Sequence, residues 1–168
     1  MFGSVSSFGQ LQSPDEFLPH TIGEQFTPHY MLVDYMQHVA ANSPNARLVQ
    51  YGETNEKRPL VLLYISTPEN LAQLDAIREN NLKKTGLMDG TPDPSLDRAL
   101  VWISCSVHGN EASGAESSMP TAYALANPQN ARTQAWLKNT IVILDPSINP
   151  DGYSRYTHWY RRNAHVIP

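Results

Sequence analysis

Only one cysteine, Cys105, occurs in the 168 residues, so an internal disulfide and a cysteine-based zinc site are both excluded. It sits in an apolar, strand-like stretch, where a thiol reads as buried and inert. No apolar run approaches bilayer-spanning length. The opening Met1-Phe-Gly-Ser-Val-Ser-Ser-Phe-Gly9 shows neither the basic region nor the apolar stretch of a secretory signal. Positive charge is sparse: 12 Lys and Arg against 16 Asp and Glu give a net charge of −4, and no basic cluster exceeds a pair such as Arg161-Arg162. That balance argues against nucleic acid or a membrane surface as partner. A Gly-rich phosphate fingerprint, a Walker-type Gly-Lys-Ser/Thr and a Gly-x-Ser-x-Gly elbow are also missing, which leaves thin support for an ordinary α/β nucleotide or effector domain. What is present is a globular composition, 40% hydrophobic and 17% charged, in a length that fits one domain with a real core.

Periodicity divides the chain into alternating elements. Residues 1–26, rich in Ser, Gly, Pro and Phe, read as an irregular segment on the surface. Thr27-Pro28 offers a hydroxyl cap and a proline for a helix running to about Ala41, which Asn42-Ser-Pro44 stops. Arg47–Thr54 and Pro59–Ser66 read as strands joined by the polar turn Asn55-Glu-Lys-Arg58. A second helix spans Thr67 to about Gly86, followed by a loop at 87–97 and a strand at Ala99–Val107. A helical stretch then reaches about Asn127, with Pro120 marking either its start near Ser118 or a kink. A short helix near 130–138 precedes a strand at Thr140–Ile148. The expectation is an α/β fold with a mixed, mainly parallel sheet flanked by helices.

The strand at 99–107 ends in His108, and Glu111 follows three residues later with Gly109 between them. If the chain turns there from strand to helix, both side chains can converge on one divalent cation, and zinc accepts this ligand pair. The spacing alone is weak, since a chain of this composition contains about 0.3 such pairs by chance. Placement at a strand's carboxyl end strengthens it, because α/β folds put ligand sites there. A second landmark, Asn149-Pro-Asp-Gly152, suits a type I turn. Arg155, Arg161 and Arg162 follow, with Trp159 and Tyr160 among them, and taken alone they read as a solvated face with partly buried aromatics. Two strand-end landmarks on one edge of a parallel pair would bring those arginines near the pair. Asn110 and Ser113 could support the ligands but more ordinarily cap a helix. Gly109 and Gly114 read as permitting close backbone approach, and Glu116, five residues past Glu111, as solvated.

In this order the motifs resemble the zinc carboxypeptidase family, the carboxypeptidase A-like metallopeptidases. His108-Gly-Asn-Glu111 looks like its His-x-x-Glu zinc motif, Asn149-Pro-Asp-Gly152 like its characteristic turn, and Trp159-Tyr-Arg161-Arg-Asn163 like the segment that supplies an arginine to the scissile carbonyl. Phe26-Thr-Pro-His-Tyr30, Val49-Gln-Tyr-Gly-Glu-Thr54 and Arg58-Pro-Leu-Val-Leu-Leu63 also fit, so the resemblance covers residue 26 to the C-terminus. It implies a phosphorylase/hydrolase-type fold whose N-terminal part is residues 27–168, and one zinc ion held by His108 and Glu111. It also implies a peptide or C-terminal amino-acid substrate, and Arg161 as the catalytic arginine with Arg162 as the runner-up.

The third ligand, a histidine, is implied beyond Pro168, as are the general-base glutamate and the groups that hold the substrate's terminal carboxylate. His158 and His165 read as ordinary surface histidines. The chain is accordingly expected to be an N-terminal fragment, inactive alone and poorly soluble, because half a mixed sheet exposes a strand edge and an apolar face. Many relatives are secreted or periplasmic, which implies an extracytoplasmic location. Two rival readings are an aspartoacylase-like zinc deacylase of N-acyl amino acids and a carboxypeptidase-like binding domain without chemistry.

Overall fold

Alternating apolar side chains on four short strands build one sheet in the computed structural model, which describes residues 9–164; His165 lies outside them. Strands β1 (Ala46–Glu53) and β2 (Pro59–Ile65) form the expected hairpin, closed by Lys57 at φ 63°. Strands β3 (Ala99–Ser104) and β4 (Thr140–Asp145) complete the order β1-β2-β4-β3. The sheet is mixed as expected. Only the β3–β4 pairing is parallel among the described residues, because β2 runs against both of its neighbours.

One face carries Ala46, Leu63, Ile65, Val142 and Leu144 into a core shared with three helices: α2 (His29–Asn42), α5 (Ala112–Ala126) and α7 (Pro150–Asn163). Leu32, Tyr35, Met36 and Val39 on α2, and Ala115, Met119 and Ala122 on α5, recur at helical spacing and are buried. Period-2 strands meeting period-3.6 helices are what the sequence pattern requires. The opposite face, with Val49, Tyr64, Trp102 and Ile143, is covered only in part by α4 (Leu74–Lys84) and keeps an apolar groove of about 540 Å³. Trp102 is 61% exposed on β3, the edge strand.

Several local expectations shift. The helix read over 67–86 is two, α3 (Pro68–Leu71) and α4, because Gln73 leaves helical geometry at φ −116°, ψ 20°. Pro120 neither starts nor ends a helix: α5 runs through it, with the ring on the exposed side. A short helix, α6 (Ala131–Leu137), leads into β4 as expected. Residues 1–26 are not irregular throughout. Within them α1 (Pro14–Phe17) is closed by a Ser13–Glu16 capping box, and Leu11, Phe17, Leu18, Ile22 and Phe26 pack on the core. None of the described helices is long and apolar enough to cross a membrane.

Candidate metal centre

Two loops leave the carboxyl ends of β3 and β4 side by side. Cys105 N–H still donates to the Asp145 carbonyl, and Ile148 N–H donates to the Cys105 carbonyl. Ser106 then breaks the strand at φ 53°, a left-handed conformation that non-glycine residues rarely adopt. Its hydroxyl donates to the Glu111 carbonyl at 2.9 Å, closing the loop onto the start of α5. The second loop opens α7 where a free-standing turn was expected. Asn149 caps this helix by accepting from Gly152 N–H at 3.0 Å, and Pro150 takes the first helical position. The Asn149 amide also donates to the Val107 carbonyl at 3.2 Å, stitching the two loops together. A β-carbon built on Gly109 would overlap the Gly152 backbone, so only glycine lets α7 come this close.

This loop brings His108 and Glu111 together. The His108 N–H donates to Glu111 Oε2 at 3.0 Å, and His108 Nδ1 lies 3.2 Å from Glu111 Oε1. Two donors bound tetrahedrally to one zinc at ordinary bond lengths stand about 3.3 Å apart, so Nδ1 and Oε1 have the separation that a shared ion needs. The side chains are 75% and 53% exposed, which leaves the pair open to solvent. The His108 backbone N–H, and then its ring, hold the Glu111 carboxyl below its ordinary value. It is therefore an anion at neutral pH, the form that a metal takes. Among the described residues no group of three His, Cys, Asp or Glu could enclose a metal.

The arginines have other partners. Arg155 pairs with Glu56, and Arg58 bridges Glu56 at 2.5 Å and Asp151 at 2.6 Å, clamping the hairpin turn to the first turn of α7. Arg161 Nη2 donates to the Phe26 carbonyl. It stands nine residues, about 13 Å of helix, beyond the Gly152 contact. Arg162 is exposed at the end of α7. Among the described residues no arginine hydrogen-bonds or pairs with His108 or Glu111. His158 is exposed, as read.

Sequence reasoning missed Glu116. It is 8% exposed rather than solvated, and it accepts from Thr27 N–H at 2.5 Å, the Thr27 hydroxyl at 2.9 Å and the Tyr153 hydroxyl at 2.9 Å. The signal was available: Ala112 and Met119, four before and three after it, place Glu116 on the apolar stripe of α5. Asp145, at the end of β4, is also buried; burial raises its carboxyl, and the Tyr51 hydroxyl donates to it at 3.1 Å. Cys105 is half-buried and its thiol is pushed up by burial, in keeping with an inert role.

Comparison with known proteins gives the site a setting. No match is found among curated protein sequences. Among solved structures, the chain is similar to thrombin-activatable fibrinolysis inhibitor at 15% identity and TM-score 0.59, covering 88% of this chain and 30% of that one. Carboxypeptidase A from Helicoverpa armigera matches at 21% identity and TM-score 0.55, over 76% of this chain and 25% of that one. The bovine thrombin-activatable fibrinolysis inhibitor, in complex with tick carboxypeptidase inhibitor, matches at 17% identity and TM-score 0.53, over 78% and 33%. These likenesses establish the fold, and the chain spans about a third or less of each of those proteins. The zinc carboxypeptidase family model matches residues 32–166, a stretch that includes both loops, and the chain therefore belongs to the zinc carboxypeptidase family.

Proposed function

We propose that the full-length protein is a zinc-dependent metallocarboxypeptidase that hydrolyses a peptide bond near a C-terminus, with His108 and Glu111 as two of its zinc ligands. The 3.2 Å approach of Nδ1 to Oε1 at the carboxyl end of β3 carries this reading. Zinc bound there supplies Lewis acidity toward a carbonyl and toward water. Glu111 provides the fixed negative charge, oriented by the His108 N–H. The Ser106–Glu111 and Asn149–Val107 hydrogen bonds hold the loop so that neither ligand must be ordered on binding. The third ligand and the general base belong, in this reading, to polypeptide outside residues 1–168. Arg161 is tied to the Phe26 carbonyl through Nη2 alone, which leaves its other N–H groups for a substrate carbonyl in this reading.

The test is hydrolysis by the full-length protein of a peptide with a free C-terminus, the same peptide amidated, and an N-acyl amino acid. Chelator-sensitive cleavage of the free peptide alone is the expected result. Faster cleavage of the N-acyl amino acid would replace the reading with a deacylase, and cleavage of none would leave a binding domain.

A further inference from the structure

Thr27 ties two helices together, and its hydroxyl also meets His20 Nε2 at 3.0 Å. The Thr27 N–H and hydroxyl both donate to Glu116 of α5, and its carbonyl shares the single Tyr153 hydroxyl proton of α7 with Glu116 Oε1, at 2.6 and 2.9 Å. Thr27 and Tyr153 are 0% exposed and Glu116 8%. The preceding carbonyl, Phe26, takes the Arg161 guanidinium from the same helix. Thr27, Glu116 and Tyr153 join the two helices that start from the His108–Glu111 and Asn149–Gly152 loops. Glu111 is the residue on which α5 begins, with Glu116 little more than a turn further on; Gly152, packed against Gly109, immediately precedes Tyr153. The His108–Glu111 loop is thus suspended between the first turns of two helices whose relative placement one buried carboxylate fixes.

We infer that Thr27, Glu116 and Tyr153 are positioning residues for the His108–Glu111 pair, and that the segment preceding α2, outside the family-matched residues 32–166, is part of the zinc site's scaffold. None of the three touches the ion. They act by holding α5 and α7 so that Nδ1 and Oε1 keep the spacing zinc requires. Groups that orient metal ligands without binding the metal typically change affinity by about ten- to a hundredfold. The inference rests on the proposed zinc role of His108 and Glu111.

Zinc affinity of the full-length protein, measured by competition with a chromophoric chelator well below the melting temperature, tests it. Glu116→Ala, Thr27→Val and Tyr153→Phe should weaken zinc binding by about tenfold or more and should alter the visible absorption of the cobalt-substituted protein. Glu116→Gln, which keeps an acceptor for Thr27 N–H, should restore most of the affinity. Ile77→Ala, a cavity under α4, should lower the melting temperature without changing zinc affinity, separating positioning from general destabilisation. Tyr153→Phe removes a single hydroxyl and serves if Glu116→Ala fails to fold. Wild-type zinc affinity in Thr27→Val and Tyr153→Phe would overturn the inference, and so would equal losses in Glu116→Gln and Glu116→Ala. If the wild type binds no zinc, or His108→Ala binds it as tightly, the underlying zinc reading fails instead.

Discussion

Glu111 and Glu116 stand five residues apart at the start of α5, one half-exposed beside an imidazole, the other buried under three donors. The same contrast separates two histidines. His108 is 75% exposed, whereas His29 is 6% exposed behind the Arg58–Asp151 pair. In each couple the side-chain chemistry is identical, and its surroundings assign the work. We propose that the open corner keeps coordination capacity for an ion, while in the closed one the Glu116 carboxylate is engaged by Thr27 and Tyr153. Burial therefore separates Glu116 from Glu111, the carboxylate we propose as a ligand.

The sharpest way to break this division is Arg161→Ala. If Arg161 belongs to the closed corner, its loss leaves the half-buried Phe26 carbonyl without its partner and lowers stability by about 1 kcal/mol, read from the urea midpoint. A fall in kcat of roughly a hundredfold at unchanged stability would move Arg161 to the substrate side and return it to the carbonyl-polarising role.

His29 gives the next effect. Burial first, then the Arg58 charge, pushes its imidazole from 6.5 down to about 4, against the opposing pull of Asp151. The folded protein then binds fewer protons than the unfolded chain between those values, so stability is full above pH 6.5 and declines as pH falls toward about 4. Urea midpoints measured across that window should fall with acidification in the wild type and less steeply in His29→Gln. Identical slopes would mean that His29 is not the group responsible.

A smaller effect extends the contrast to the sheet's edges. β1 is interrupted by an irregularity at Gln50/Gly52 and bears Arg47 and Glu53, both protective features. β3 presents Ala99–Ser104 without a charge. Val101→Lys should raise the solubility of the 168-residue chain; unchanged solubility would place the aggregation-prone surface elsewhere, with the Trp102 groove the next candidate.

Local pattern made much of this readable in advance. Runs of β-forming residues bounded by turn signals located all four strands, Thr27-Pro28 marked the entry to α2, and the β3 terminus singled out His108 and Glu111. The failures share a cause. Asn149-Pro-Asp-Gly152 satisfies a turn and a helix start equally well, because both begin with a capping Asn and a Pro at φ near −65°; only the following turns, with Tyr153 and Thr157 buried, select the helix. Thr27 was read as a cap, but its hydroxyl serves a carboxylate 89 positions away, and Arg161 finds a carbonyl 135 positions away. Partners that distant leave no periodic trace. Pro120 was over-weighted, since the buried Ala115, Met119 and Ala122 hold α5 together across the missing N–H.

In the proposed reading His108 and Glu111 grip one ion. Isothermal titration of zinc into the full-length protein tests it most directly. One zinc per chain is predicted, with binding weakened in both His108→Ala and Glu111→Ala by more than the hundredfold upper end for residues that act only through a ligand. Zinc binding that survives either substitution at wild-type strength would contradict the account.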